Sequence, residues 1–343
     1  MNALGTKPLA GVIPLFALAM CVANIWVPYS YWFDELFSVT VSAQSLGGVF
    51  HDMLRDVHPP LYQVLLWAWM GLFGDSEPAT RSLSLVFAVA ALAHVVVWSR
   101  KLHPETRLAL LIFFCTTALL PNYAQETRSY AMVLFLSTLL TTGLLDYDGS
   151  RRRFIGLVTV CALLSLTHYF GLLLSLAALG WLLFRDRRDH ARVLTIFAVL
   201  ALAAAWPASQ FLLGDIADKT GGQFWIKVDG PIDTIMTAIR APTNLTGFFI
   251  VFALIAALSR NLKAEWLAEK SHLARAGFLL AATILLALLI DLHTPISTKR
   301  NFIVLLPAYS VLFGIFVGGL LRHPKARLYA YVVLALFALD NAH

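Results

Sequence analysis

Long runs without a charged residue are the feature that most restricts how this chain can fold. Residues 108–120, 248–258 and 276–290 contain no Asp, Glu, Lys or Arg, and each lies inside a longer apolar stretch. A helix that crosses a bilayer needs about 20 mostly apolar residues. Charged residues make up only 13% of the chain, against about 25% in ordinary soluble domains. The sequence therefore predicts an all-α integral membrane protein that crosses the bilayer many times.

The apolar runs between charged clusters predict about eleven transmembrane helices in a single domain over residues 1–343. The first run is interpreted as a retained helix, because it is long enough to span and Met20 is larger than a signal-peptide cleavage site favours. We expect no soluble C-terminal domain after the last helix. The predicted spans lie near residues 8–28, 79–99, 106–122, 129–146, 153–168, 169–185, 192–212, 243–259, 275–292, 302–321 and 326–341.

The distribution of Lys and Arg predicts how these helices are oriented. With the N-terminus inside, 18 of the 26 basic residues fall on the cytoplasmic side, as the positive-inside rule requires. The lack of targeting signals favours a bacterial inner (plasma) membrane, with the other face towards the periplasm or exterior. The basic residues form short clusters between helices without interleaved aromatic residues, which excludes a nucleic-acid partner.

Two long outer segments interrupt the spans. In the first outer loop, residues 29–78, apolar residues from Leu46 to Val57 recur at helical spacing and predict an amphipathic interfacial helix. Pro59-Pro60 ends it and opens residues 61–73, which are apolar but too short to span and predict an interfacial or re-entrant helix. The second outer loop, residues 213–242, contains Gly221-Gly222 and Phe224-Trp225. We interpret it as a mobile cover of the site or as an interfacial loop with a short helix at 232–239.

Five short motifs occur in a fixed order on the predicted outer side. This set resembles the membrane glycosyltransferases of C-type (GT-C) fold, in particular the protein mannosyltransferase, aminoarabinose transferase and Rgt-type galacturonosyl transferase group (the PMT-like group). The resemblance covers roughly residues 8–321, although Asn301-Phe302 replaces an Arg-Tyr pair that is usual in the group. The motifs are Asp34-Glu35, His58-Pro59-Pro60-Leu61-Tyr62, Gln125-Glu126-Thr127-Arg128-Ser129-Tyr130, Phe224-Trp225-Ile226 and Lys299-Arg300-Asn301-Phe302.

The resemblance implies transfer of a sugar from a polyprenyl-phosphate donor to a lipid, glycan or protein acceptor outside the cytoplasm, in contact with membrane lipids. Phosphate is a good leaving group, so one carboxylate that acts as general base on the acceptor hydroxyl is sufficient. Asp34 matches the motif's base, and one-step attack inverts the anomeric centre. Glu35 is expected to orient Asp34 or the acceptor. The nearest families in the resemblance work without a metal ion, so we expect none and no other cofactor; the alternative is a divalent cation shared by Asp34 and Glu126, as in some C-type transferases.

The remaining motif residues are expected to bind the donor. Cations stabilise the negative charge that collects on a leaving phosphate, and guanidinium groups bind phosphate in bidentate fashion. On this basis the resemblance assigns the phosphate to Arg128, Lys299 and Arg300. Glu126 is expected to hold Arg128 or to contact the sugar. The other candidates for the donor site are His58, Tyr62, Tyr130 and His168.

Structural roles remain open for several of these residues. The position of Arg81 also agrees with a side chain that extends from a helix end towards the membrane interface. His168 would equally serve as a helix-end histidine, and His58 would equally be part of a proline-rich structural turn. Lys299 and Arg300 fit headgroup anchors. The main alternative function is a secondary transporter or lipid flippase, although ionisable groups lie at one set of helix ends rather than near the bilayer midplane. A non-catalytic scaffold leaves the ordered motifs without a purpose.

Overall fold

The structure, a computed structural model, describes residues 6–23, 25, 30–214, 226–243, 266 and 269–340. The described chain is built from α-helices and two short 3-10 helices, which confirms the predicted all-α multi-pass membrane fold. Of the described helices, five are long and apolar enough to cross a membrane: Glu77–Lys101, Tyr169–Asp186, His190–Leu213, Lys270–Asp291 and Lys299–Arg322.

Fifteen described α-helices are numbered here in chain order. The 3-10 helices are Ser99–Lys101 and Lys299–Leu305. The α-helices are α1 Thr6–Ala23, α2 Phe33–Ser42, α3 Leu46–Leu54, α4 Leu61–Phe73, α5 Glu77–Trp98, α6 Pro104–Thr116, α7 Leu119–Ala124, α8 Tyr130–Leu145, α9 Arg151–Ser165, α10 Tyr169–Asp186, α11 His190–Leu213, α12 Pro231–Arg240, α13 Lys270–Asp291, α14 Leu306–Arg322 and α15 Arg327–Asp340.

Most of the predicted spans coincide with these helices. The span predicted over 106–122 is divided into α6 and α7, and the span over 243–259 lies outside the described residues. The break expected at residue 168 is present, because His168 is the N-cap of α10 and its Nδ1 accepts a hydrogen bond from the backbone N–H of Phe170 at 3.1 Å. The number of membrane crossings stays a prediction.

The first outer loop folds into three consecutive helices. Helix α3 carries the expected amphipathic face, with Val49 and Met53 fully buried, and α4 begins directly after Pro60 with the bounds that the sequence predicted. Helix α2 was not predicted, since no helix was expected between the first span and Leu46. The carboxylates of Asp34 and Glu35 occupy the first turn of α2, where negative charge stabilises a helix.

A close helix crossing fixes the element that carries Arg300. Helix α14 packs against α6 through Gly314 and Gly318, and a Cβ added to Gly318 would stand 2.6 Å from the Cα of Thr106. Small residues spaced by four allow helix backbones to approach in this way inside membranes. The 3-10 helix before α14 is fully buried from Phe302 onward, so Arg300 extends from a segment anchored in the core.

The opposite end of the bundle collects arginines that bind helix ends. Arg275 Nη1 donates to the backbone carbonyls of Leu144 and Leu145 at 2.9 and 2.7 Å, and Arg185 Nη1 donates to the carbonyl of Tyr147 at 2.8 Å. Leu144 and Leu145 are the last two residues of α8, and Tyr147 follows in the turn after it, where backbone carbonyls lack the next helical turn as a partner. The arrangement agrees with a cytoplasmic location of this end, which stays a prediction.

The second outer loop is described only in part. Helix α12 lies where the sequence predicted a short helix, and Thr234 on it donates to Asp291 Oδ2 at 2.7 Å. Gly221-Gly222 and Phe224-Trp225, on which the interpretation of a mobile cover rests, lie outside the described residues.

Candidate active site

A buried ion pair joins the start of α2 to the start of α5. Arg81 Nε donates to Glu35 Oε1 at 2.9 Å, and Arg81 Nη2 donates to Glu35 Oε2 at 2.8 Å. The backbone N–H of Thr127 donates to the same Oε1 at 2.8 Å. Glu35 and Arg81 are only 1% and 4% exposed, so this carboxylate ties three outer segments together.

This pair decides the roles of both residues. Arg81 is buried rather than extended to the interface, so the expected snorkelling role is wrong. Glu35 is absent from the cavity wall formed by the described residues, and its contacts agree with the expectation that it orients Asp34, the preceding residue. A positioning role for Glu35 stays a prediction.

Asp34 lies one residue earlier and faces two guanidinium groups. Arg300 Nη1 donates to Asp34 Oδ2 at 3.0 Å, although the two residues are 266 positions apart. Arg128 Nη2 lies 3.9 Å from the same oxygen, and Arg128 Nη1 donates to the Asp34 backbone carbonyl at 3.2 Å. The sequence predicted these three residues as one site, and the structure brings them together.

These groups line a cavity of about 370 Å³, which is within the usual size range of small-molecule sites. Of the predicted site residues it includes Asp34, His58, Arg128, Tyr130, His168 and Arg300. Its remaining walls are mostly aromatic or aliphatic. The full lining is Phe33, Asp34, Phe37, Asp56, Val57, His58, Arg128, Tyr130, His168, Tyr169, Phe170, Ile226, Ile296, Arg300 and Asn301.

Besides Glu35 and Glu126, two predicted site residues, Tyr62 and Lys299, are absent from the cavity wall formed by the described residues. Tyr62 is 2% exposed and its hydroxyl lies 3.4 Å from Ser84 Oγ, so it packs in the core behind the site. Lys299 is exposed at the start of its 3-10 helix. The direct donor contacts expected for Tyr62 and Lys299 therefore disagree with their placement.

Glu126 lies next to the site without entering the cavity wall of the described chain. Its Oε2 atom is buried and has no hydrogen-bond partner among the described residues. The pKa of Glu126 is raised to about 7, mainly by burial. The negative charge of Glu35 also raises it, and the positive charges of Arg128 and Arg300 lower it. A carboxyl group in this environment is partly protonated at neutral pH.

Arg300 and His168 are held by aromatic rings. The guanidinium of Arg300 lies 5.9 Å from the ring centroid of Trp32 and 5.8 Å from that of Tyr130, which is the geometry of cation–π contacts. The ring of His168 packs 5.4 Å from His58 and 5.6 Å from Tyr130. His168 thus combines the helix-end role with a place in the cavity wall.

Sequence reasoning missed Asp56, Asn301 and the Phe33–Phe37 face of α2 as parts of the cavity. Asp56 falls between apolar positions of the predicted amphipathic helix and was expected to face away from the core. Its Oδ2 instead lies 2.9 Å from His58 Nδ1, and the pair lines the cavity. Its position two residues before His58 was the signal available. Among the described residues, no group of three or more His, Cys, Asp or Glu side chains is placed to hold a metal ion.

Comparison with known proteins supports the motif-based resemblance. Residues 57–212 match the family model described as dolichyl-phosphate-mannose-protein mannosyltransferase. The crystal structure of ArnT from Cupriavidus metallidurans in the apo state superimposes with a TM-score of 0.61 over 97% of this chain, at 13% identity. The predicted resemblance to PMT-like membrane glycosyltransferases is confirmed.

This chain is similar in the same way to ArnT from Cupriavidus metallidurans bound to undecaprenyl phosphate, with a TM-score of 0.60 at 14% identity over 97% of this chain. This chain spans 63% and 62% of the length of the two ArnT chains. At this identity the likeness shows a shared fold. No curated protein matches this chain in sequence.

Proposed function

We propose that this PMT-like protein is an inverting glycosyltransferase that moves a sugar from a polyprenyl-phosphate donor to an acceptor on the outer face of the membrane. The observation that carries the proposal is the convergence of Asp34, Arg128 and Arg300 on the wall of one cavity. A carboxylate that can accept a proton stands beside two cations that can hold a phosphate.

The two arginines are suited to a phosphate group. Arg128 is only 6% exposed, and its Nε atom is buried without a hydrogen-bond partner among the described residues. A buried donor without a partner costs about 1–3 kcal/mol, and an anionic ligand in the cavity would remove that cost. Arg300 is held between two rings, so its guanidinium is already ordered before the phosphate binds.

Donor binding would also change the state of Asp34. A phosphate competes for both guanidinium groups and so releases Asp34 Oδ2 from Arg300. The free carboxylate then accepts the proton of the acceptor hydroxyl, while the hydroxyl oxygen attacks the anomeric carbon on the side opposite the phosphate. The bond between that carbon and the phosphate oxygen breaks, its electron pair stays on the carrier phosphate, and the anomeric centre is inverted.

The structural similarity to ArnT supports a polyprenyl-phosphate donor. ArnT has been crystallised with undecaprenyl phosphate, and this protein shares that fold. The acceptor is proposed as a lipid, glycan or protein that reaches the same cavity from the outer face of a bacterial inner membrane, among membrane lipids. The basic helix ends at the far side of the bundle support this orientation.

The test is a reconstituted assay of wild type and Asp34→Asn with a panel of polyprenyl-phosphate sugars, in which donor binding and sugar release are measured together. We expect Asp34→Asn to bind the donor and to release sugar about 10²–10⁴-fold more slowly, the usual contribution of a general base. Asp75→Asn is the matched control, because Asp75 is an exposed carboxylate in the same outer loop.

Equal turnover by Asp34→Asn would remove Asp34 as the base. If the wild type releases sugar from no donor but moves lipid or solute across the bilayer, the protein is a transporter or flippase and the proposal is wrong.

A further inference from the structure

A second polar pair lines the cavity that contains Asp34 and Arg300. Asp56 and His58 follow helix α3, and their side chains are 19% and 25% exposed. His58 Nδ1 lies 2.9 Å from Asp56 Oδ2. The proposed phosphate chemistry uses neither residue, so the pair is available for another part of the substrate.

The chemistry of the pair excludes the phosphate and favours hydroxyl groups. Burial tends to raise the pKa of Asp56, but the hydrogen bond and the charge of His58 outweigh it and hold the pKa below its usual range. Asp56 is therefore ionised and repels an anion. An ionised carboxylate has several acceptor sites, and the bond at His58 Nδ1 leaves Nε2 for a ligand. A hydroxyl both donates and accepts, so it can pair with Nε2 in either protonation state.

The cavity wall holds both kinds of group that a sugar phosphate needs. Arg128 and Arg300 line it together with the Asp56–His58 pair, and aromatic side chains such as Phe37 and Phe170 form part of the same wall. Arg128 and His58 also line one small adjoining pocket, so the cations and the Asp56–His58 pair are neighbours. A phosphate bound by the arginines would therefore place an attached sugar near Asp56 and His58.

A buried glutamine holds the backbone of the pair. Gln210, in the last turn of α11, is fully buried. Its Nε2 donates to the backbone carbonyls of Met53 and Asp56 at 2.7 Å each and to that of His58 at 3.2 Å. Its Oε1 accepts a hydrogen bond from the hydroxyl of Tyr169. One amide therefore links α11 and α10 to the segment that carries Asp56 and His58.

The end of α11 is pressed against this segment as well. A Cβ added to Gly214 would stand 1.8 Å from the carbonyl oxygen of Leu54, at the end of α3. Only glycine permits this approach of the two backbones. The Asp56–His58 segment is thus fixed by hydrogen bonds and by close packing at the same helix end.

We propose that Asp56 and His58 form a subsite for hydroxyl groups of the donor sugar, and that Gln210 is the positioning residue that holds this subsite open towards the cavity. The inference rests on the proposed function and extends it, because it assigns the neutral part of the donor to residues distinct from those that bind the phosphate. It predicts that sugar recognition and carrier recognition can be separated by mutation.

The experiment compares binding of a sugar-free polyprenyl phosphate with binding and turnover of the polyprenyl-phosphate sugar that the wild type uses, on the full chain in lipid nanodiscs. We expect Asp56→Asn and His58→Gln to raise the KM and Kd for the sugar-linked donor about tenfold or more, the usual effect of losing a hydrogen bond to a charged group. Affinity for the sugar-free carrier should stay within about twofold. Gln210→Ala should show the same sugar-selective loss.

The chain offers a matched control for this experiment. Asp52 and His51 form the same type of pair on the exposed face of α3, with Asp52 Oδ1 3.1 Å from His51 Nδ1, outside the cavity wall of the described residues. Asp52→Asn and His51→Gln should therefore change neither affinity.

Three results would overturn the inference. An equal loss of affinity for the sugar-free and sugar-linked carriers would show that the pair binds the carrier or that Gln210 is only structural. Unchanged affinities in Asp56→Asn and His58→Gln would remove the subsite. The subsite would also be ruled out if the wild type bound the sugar-free carrier as tightly as every sugar-linked donor. Absence of turnover together with a sugar-dependent affinity that Asp56→Asn abolishes would instead contradict the proposed transferase and leave the subsite standing.

Discussion

Replacement of Glu35 by glutamine tests the ion pair on which the outer segments depend. Glu35→Gln puts an amide N–H₂ group where a carboxylate oxygen now faces Arg81 at 2.8 Å, and it leaves the guanidinium without a counter-charge. Arg81 is 4% exposed, so water cannot replace the lost partner. Breaking one side of a buried ion pair typically costs about 3–5 kcal/mol. We expect a loss in the free energy of unfolding of this size.

A double variant at Glu35 and Arg81 distinguishes the interaction between the two charges from the effect of each single substitution on its surroundings. Arg81→Met alone should also be strongly destabilising, because it leaves Glu35 buried and charged. In Glu35→Gln/Arg81→Met no charge remains, and replacing a whole buried pair by uncharged groups is often close to neutral. The loss in the double variant should therefore be smaller than the sum of the single losses by at least about 2 kcal/mol.

The assay is equilibrium unfolding of the purified variants in one mixed-detergent titration, with Asp75→Asn as the exposed-carboxylate control, which should stay within about 0.5 kcal/mol of wild type. A Glu35→Gln loss below about 1 kcal/mol, or additive single and double variants, would refute the argument that this pair is desolvated. Donor turnover measured on the same samples should fall with Glu35→Gln even where the protein remains folded, since α2 also positions Asp34.

Two further predictions concern Glu126 and the α6–α14 crossing. The pKa of Glu126 is raised from 4.5 to about 7 by burial, so the folded protein binds more protons than the unfolded one in this window and loses stability as pH rises through it. Glu126→Gln has no titrating carboxyl group at this position and so lacks this loss. Its free energy of unfolding minus that of the wild type should therefore increase by up to about 3 kcal/mol between about pH 4.5 and 7. A difference that does not change with pH would contradict the burial of Glu126. Gly318→Ala should cost about 1–3 kcal/mol in detergent unfolding because its Cβ overlaps Thr106, whereas Gly180→Ala, with open space around its Cβ, should be neutral or slightly stabilising; equal effects would show that the crossing can relax.

Much of the fold could be predicted because its signals are local. Helix α4 has the predicted bounds since Pro60 precedes it and Gly74 follows it with a φ of 86°, a backbone conformation that glycine adopts freely. Helix α2 was missed because its ten residues are too few to show a clear helical period between the first span and the amphipathic helix. The acidic pair in its first turn was the signal that could have marked it.

The site was predictable to the extent that topology alone brings motifs together. Alternating spans place the loops with Asp34, Arg128 and Arg300 at one end of the bundle, and the motif order identified them. The partner of each residue was not predictable, because pairing depends on helix rotation. In the sequence, Arg81 is a basic residue near the start of a helix and carries no sign of its partner. Only the packing of α2 against α5 shows that it binds Glu35.

The pattern of Asp56 shows the same limit. Asp56 falls at a polar position of the predicted amphipathic pattern, but α3 ends at Leu54, and whether a polar residue beyond it faces solvent or a cavity depends on what covers it. The covering element is the end of α11, more than 150 positions later in the chain. Gln210 sits in an apolar span where a single amide carries no motif, so its three carbonyl contacts could be recognised only from the structure.

The crossing of α14 and α6 has a consequence for the lipid around the protein. Helix α14 has 17 residues, a length of about 26 Å, which is close to the thickness of a bilayer's hydrocarbon core. Because Gly314 and Gly318 fix its register on α6, the height of Arg300 above the far end of the bundle is set by the protein and cannot follow the bilayer. The phosphate of a carrier lipid, in contrast, lies at the headgroup level of its leaflet, and this level moves when the bilayer thickness changes. In a thicker or thinner membrane the phosphate of the carrier and the guanidinium of Arg300 would lie at different depths. The acyl-chain length of the surrounding lipid would therefore determine how well the donor phosphate aligns with the site.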